Sequence, residues 1–322
     1  MSDLPPPPPP PPPTAIAPAP PGAAAAAGRT GNGYTCRYCR LPSDGAATSC
    51  PHCGAPVDIK DRVSASGWEE QPAIEDMARI QFGESTCQVE GTLVPTADMR
   101  LGGDDSVYFS HNRLLWTEPS VNLSPVRMAT PWNRVLSGMP LVMMQAHGPG
   151  HIAFSDNEPG EIVIVPLQHG QAVDVREHRF LVATGNIGFE WYSSGIWYTT
   201  RNGDETETHY PLGTAIDRFT ATQEPGLLLL HAPGNSFVRD LQLNEVICIQ
   251  PSALLYKDPT VGMQLHFEYP QSMGNVWSSN YSYRTVWLRL WGPGRVAVQS
   301  IFERPESSGY IRQHSGATQV QW

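Results

Sequence analysis

One short pattern of strands and turns recurs three times in this chain, and such a recurrence constrains the fold more than any single motif. "SVYFSHNRLLWTEPSVNLS" opens at Ser106, "AVDVREHRFLVATGNIGFEW" at Ala172 and "EVICIQPSALLYKDPTVGMQL" at Glu245. Each begins as a short apolar strand, crosses a polar step, enters a second apolar strand, turns, and resumes at Val121, Ile187 or Val261. Val107 to Val121 and Val173 to Ile187 both span 14 residues, and Val246 to Val261 spans 15. "TEPSV" and "KDPTV" preset the turn with a proline, and "ATGNI" makes it with Gly-Asn. The predicted unit is a hairpin, used three times.

A second motif follows the same period. "LVMMQAHGPGHIAFS" (141–155), "LLLLHAPGNSFV" (227–238) and "VWLRLWGPGRVAVQS" (286–300) each join an apolar run to another short strand through Gly/Ala-Pro-Gly. Proline donates nothing to a sheet ladder and glycine tolerates positive φ, so the tripeptide suits a bend between strands. Aligned this way, His147 corresponds to His231 and Trp291, and His151 to Asn235 and Arg295. The turn therefore stands without its histidines.

The rest of the chain divides by composition. Residues 1–33 are nearly all Pro, Ala and Gly, with nine prolines from Pro5 to Pro13; they bury too little apolar surface to fold and form a disordered, stiff arm. Residues 34–57 are a separate module, 58–80 a linker containing "SASGWEEQP", 81–305 the β domain and 306–322 a polar tail. The net charge of −10 opposes binding to phosphates or anionic lipid without a local basic patch, and none is evident. The start "MSDLPPPPPP" has no signal-peptide pattern and no apolar run nears membrane-helix length, so a cytoplasmic protein is expected.

The strongest local signal is Cys36, Cys39, Cys50 and Cys53: two C-x2-C pairs separated by ten residues. Each pair aims two sulfurs at one ion, and the two pairs complete a tetrahedral zinc site, one structural Zn2+ per chain. A module this short cannot hold itself together by core burial, so metal supplies much of its folding energy. His52 lies inside the second knuckle, but four thiolates already fill the shell. Cys87 and Cys248 stand alone in strands, as expected in a reducing compartment.

From about residue 81 to 305 the chain resembles the family of altered inheritance of mitochondria protein 24 (AIM24). The resemblance is carried by "DDSVYFSHNRLLWTEPSVNLS", "RVLSGMPLVMMQAHGPGHIAFS", "EIVIVPL" and "LRLWGPGRVAVQS". It implies an all-β fold: a triplicated β-sandwich with pseudo-threefold symmetry, like the trp RNA-binding attenuation protein (TRAP). The family has no agreed catalytic residues, so none transfers. One departure is the longer segment between the second and third repeats, "WYSSGIWYTTRNGDETETHYPLGTAIDRFTATQEPG".

Catalytic constellations find little footing. No His-x-His exists, and His147, His151, His169 and His178 are scattered over turns and strand ends, which weighs against a cupin-like metal enzyme. There is no Gly-x-Ser-x-Gly elbow, phosphate loop or HExxH. Asp104 and Asp105 read as solvated loop residues, and Trp191, Tyr192, Trp197 and Tyr198 as core or core cover rather than a binding face. The expectation is a non-enzymatic binding or scaffold protein with no catalytic or cofactor-binding residues. Its partners would be proteins, including further copies of itself. Nucleic acid binding through the ribbon and the TRAP-like domain is the alternative.

Overall fold

The computed structural model describes residues 33–35, 41–44, 49–55, 68–70, 78–126, 143–202, 204–268, 285–303 and 310–314. The chain forms two compact units, Met1–Arg62 and Val63–Trp322. The first contains one antiparallel hairpin, β1 (Gly33–Thr35) with β2 (Pro42–Asp44), followed by a tight turn at Cys50–Ala55.

The second unit is all-β among the described residues. Its strands are β3 (Glu69–Glu70), β4 (Ala78–Phe82), β5 (Ser85–Glu90), β6 (Thr96–Leu101), β7 (Ser106–Ser110), β8 (Leu114–Thr117), β9 (Asn122–Pro125), β10 (Met143–His147) and β11 (Gly150–Ser155). They continue as β12 (Gly160–Leu167), β13 (Ala172–Arg176), β14 (Phe180–Thr184), β15 (Ile187–Ser193), β16 (Tyr198–Asn202), β17 (Glu205–His209), β18 (Ala215–Ala221) and β19 (Gly226–Pro233). The last are β20 (Ser236–Leu241), β21 (Val246–Ile249), β22 (Leu254–Lys257), β23 (Gly262–Glu268), β24 (Thr285–Trp291), β25 (Gly294–Gln299) and β26 (Tyr310–His314). Thus residues 58–80, read as a linker, contribute β3 and the start of β4, and the polar tail contributes β26.

Three large sheets carry the architecture, in the orders β4-β5-β6-β11-β8, β12-β19-β14-β7-β10-β9 and β15-β18-β13-β22-β25-β20-β3. Two three-stranded sheets, β21-β24-β23 and β17-β16-β26, complete it. Strand β14 shows why the sequence takes this form. "FLVAT" is apolar but for its last residue and buried throughout; Phe180 and Ala183 face one core cluster while Leu181 and Val182 face another. A strand covered on both faces has no solvent side to make polar. The peripheral β5 alternates instead: Cys87 and Val89 point inward, Thr86 and Gln88 lie part-buried between them, and Glu90 is exposed.

Pairing repeats in detail. Strand β8 meets β11 at Thr117↔Ile152, Trp116↔Ala153 and Leu114↔Phe154, skipping Leu115. The same bulge recurs where β14 meets β19, skipping Leu181, and where β22 meets β25, skipping Leu255. Three carriers of the following turn accept a backbone N–H from the facing strand: Glu118 from His151 at 2.9 Å, Thr184 from Leu227 at 3.0 Å, and Asp258 from Arg295 at 2.7 Å. A Cβ on Gly150, Gly226 or Gly294 would run into the same trio of neighbours each time, Glu118/Ser120/Val121, Thr184/Asn186/Ile187 or Asp258/Thr260/Val261.

These registers correct the sequence alignment. One residue of each central strand bridges two neighbours: His147 pairs Ser106 and Asn122, Thr220 pairs Ala172 and Gly188, and Trp291 pairs Val246 and Gly262. Val246 therefore stands with Ser106 and Ala172, not with Val107 and Val173, and the spacing to Val121, Ile187 and Val261 is 15 in all three segments. The counterparts of His147 are Thr220 and Trp291, and those of His151 are Leu227 and Arg295. The place of Gly148-Pro149-Gly150 is taken in the second segment by the longer "TQEPG" ending at Gly226, whereas "HAPG" leads from β19 to β20. All three Pro-Gly corners nonetheless do what their chemistry predicts: each carries the chain from one sheet to another.

Candidate functional site

In the N-terminal unit, the Cys50 N–H donates to the Ala55 carbonyl and the Gly54 N–H to the Cys50 carbonyl, both at 2.8 Å. Gly54 takes φ +72, which a side chain would resist. The turn holds Cys50 and Cys53 at the two ends of one loop; Cys50 is 2% exposed and Cys53 exposed. That backbone fits a thiolate knuckle of a closed structural metal site. Cys36 and Cys39 lie outside the described residues. Two of the four cysteines are described, and among the described residues no group of three His, Cys, Asp or Glu is poised on one ion.

The scattered histidines stay scattered. His147 ends β10 in the six-stranded sheet, while His151 lies on β11 in the five-stranded sheet. The His151 ring stacks on Trp116 at 6.4 Å and its Nδ1 lies 3.6 Å from an Asp98 oxygen. His169 sits in the turn before β13, and His178 takes φ 68 between β13 and β14. The aromatic group divides as well: Tyr198 is buried against His209 and Phe267, whereas the Tyr192 hydroxyl donates to Asp174 at 2.9 Å. Asp105 is not a loose loop residue. It accepts the Glu84 N–H at 2.8 Å and the Ser85 hydroxyl at 2.6 Å, pinning the β4–β5 hairpin, while Asp104 is exposed.

Two buried charge clusters escaped the sequence reading. Asp174, 1% exposed, accepts Arg218 Nε at 2.7 Å and Nη2 at 3.0 Å, Lys257 Nζ at 2.9 Å and the Tyr192 hydroxyl. Burial alone would raise its pKa, but the Arg218 and Lys257 bonds outweigh it and hold the carboxyl below its ordinary value. Burial, then the neighbouring Asp174 carboxylate, pushes the Tyr192 phenol up. In the second cluster Asp156 contacts buried His231 at 3.0 Å and pairs with Arg113. Here too burial raises the pKa and is outweighed, by His231 and then Arg113, so the carboxyl drops to about 2. The available signals were "AVDVR" and "LLYKD", where a charge interrupts an apolar strand.

A cavity of about 440 Å³ opens where β7 meets the β14–β15 turn, with Asp104, Asp105 and Glu224 in its wall and no cationic side chain among its lining residues. It is a poor receptor for a phosphate.

These features define a class: an all-β protein of packed sheets whose buried charges tie strands together. The sequence profile described as "Mitochondrial biogenesis AIM24" matches residues 87–301, and the chain belongs to this AIM24 family. The crystal structure of a Streptococcus pyogenes protein is similar to it with a TM-score of 0.49 and 17% identity, covering 68% of this chain and 94% of that one. The comparison with curated proteins returns no match.

Proposed function

We propose that this chain is a non-enzymatic scaffold: a TRAP-like β domain built from one six-stranded unit used three times, joined to an N-terminal zinc ribbon that engages a protein partner. The observation that carries the threefold reading is the single bulge at Leu115, Leu181 and Leu255, each in the same register with its neighbour. Under it, the units are β6–β11, β12–β15 with β18 and β19, and β20–β25. Cys36, Cys39, Cys50 and Cys53 hold the zinc, and the Cys50–Ala55 turn supports this. The non-enzymatic reading rests on how four buried or part-buried carboxylates are used. Asp174 and Asp156 are engaged in ion pairs, Glu161 accepts both the backbone and the hydroxyl of Ser236, and Glu177 accepts the Thr214 N–H. The family's description, mitochondrial biogenesis, supports an assembly role over metabolic chemistry.

Metal analysis of the purified full chain tests this. One zinc per chain is expected, lost in Cys36→Ser/Cys39→Ser while the β signal in circular dichroism persists. A second equivalent retained by that variant would revive a metal enzyme at the histidines. Oligonucleotides should not bind at low salt, and a steep salt-dependent affinity would favour the nucleic-acid alternative instead.

A further inference from the structure

We propose that β8 and β21 are the two halves of an interchain joint, through which one copy of this chain adds its β21 edge to the β8 edge of a second copy. The proposal rests on the threefold reading above and extends it to assembly.

Two joints of this kind already exist inside the chain. The first segment's β7 pairs with the second segment's β14 at Tyr108↔Ala183 and Phe109↔Val182. The second segment's β13 pairs with the third segment's β22 at Asp174↔Lys257 and Val175↔Tyr256. With the alignment set by the central strands, these are the same two positions in the same register. Each joint fuses two three-stranded halves into one continuous sheet. It also buries the bulge leucine beneath the preceding segment: Leu181 packs in the cluster of Val107 and Phe109, and Leu255 in that of Val173 and Val175.

The series leaves one strand of each type over. Among the described residues β8 pairs only with β11 and β21 only with β24, so each ends its sheet. On β8, two side chains are the exposed members of otherwise buried sets. Leu115 is 56% exposed where Leu181 and Leu255 are both at 0%. Trp116 is 42% exposed, while its counterparts Val182 and Tyr256 are buried. Val246 at the head of β21 is 43% exposed. An edge of apolar side chains and unpaired backbone groups, without lysine or proline to blunt it, is a template for another strand.

Applying the register of the internal joints sets Cys248 opposite Thr117 and Ile249 opposite Trp116, antiparallel, with Leu115 delivered onto Ile247 and Ile249 of the neighbour. Because the two edges differ, the contact is heterologous; the smallest assembly of separate chains that leaves neither β8 nor β21 open is a dimer in which both joints form.

Cys248 makes the test a single substitution. Directly opposed strand residues lie within disulfide distance, so Thr117→Cys under diamide should link to Cys248 between chains, giving a band at twice the 35.3 kDa chain mass that wild type lacks. Trp116→Cys, one residue along and facing the other way, should not link to Cys248. In sedimentation, Leu115→Glu should reduce the wild-type multimer to single chains at equal concentration. A 117–248 disulfide within one 35.3 kDa chain means the ring closes on itself and overturns the proposal, as does the absence of any 117–248 link. Val107→Cys/Thr184→Cys separates this from failure of the threefold reading. Those positions oppose each other at an internal joint, and a 107–184 link mapped by peptide mass spectrometry is expected within every chain. Without it, the threefold register itself is wrong.

Discussion

Replacing Asp174 by Asn tests whether the second internal joint is held by charge. The side chain keeps its shape but loses the charge that Lys257, 4% exposed, relies on; Lys257 would keep its bond to the Asp258 carbonyl at 3.3 Å. Removing one partner of a buried pair typically costs about 3–5 kcal/mol. For a domain of this size that lowers the melting temperature by roughly 6–20 °C, at about 2–4 °C per kcal/mol. Asp174→Asn/Lys257→Met should recover most of the loss, because no buried ammonium remains and Arg218, with its side chain 35% exposed, can turn to water. The assay is urea unfolding at pH 7 with thermal scans of the two variants. A cost below about 1 kcal/mol for the single change, or a double mutant as destabilised as Asp174→Asn alone, refutes the argument. The acid limb gives a second check. The folded carboxyl lies below its ordinary value, so its contribution is complete above the unfolded pKa and fades as pH falls through the folded one. The Asn variant should lose that dependence.

Two further outcomes follow from buried groups. Asp156, lowered from 3.8 to about 2, contributes on the order of 2 kcal/mol that is present above about pH 4 and lost towards pH 2; Asp156→Asn should flatten unfolding free energy over that window. Leu255→Ala should cost about 2–5 kcal/mol, whereas Leu115→Ala should cost within about 0.5 kcal/mol when measured by urea unfolding at dilutions where the chain is single.

Local chemistry was legible in the sequence and long-range pairing was not. Prolines at Pro119 and Pro259 and the Gly-Asn at Gly185–Asn186 announced the turns between β8 and β9, β22 and β23, and β14 and β15, because turn geometry depends on residues in the turn itself. The alignment slipped by one residue at β21 because apolar identity was matched, Val246 to Val107, where pairing matches position and sets Val246 against Ser106. The Asp174–Lys257 contact joins residues 83 apart, and no local pattern pairs one interrupted strand with another. Asp105 read as solvated because an Asp beside a turn looks alike whether it faces water or caps a hairpin 20 residues away.

The joints also explain why equivalent segments carry such different residues. The opposed pair is Tyr108/Ala183 at the first joint, large against small, and Asp174/Lys257 at the second, an ion pair. Identical joints would let any β7-type strand accept any β14-type strand, and the chain could assemble its segments in the wrong order. Setting Asp174 against Ala183, or Tyr108 against Lys257, would instead bury a charge without its partner, at a cost of several kcal/mol. The third pair, Cys248/Thr117, is small, uncharged and free of that discrimination, and it belongs to the two edges that the internal sheets leave open. A repeat protein that encodes its internal order in buried chemistry and leaves its terminal edges permissive is suited to joining another copy of itself. Placing Asp at position 248 and Lys at 117 would test this: the pair should tighten the interchain joint only when both are present, and Cys248→Asp alone should abolish it.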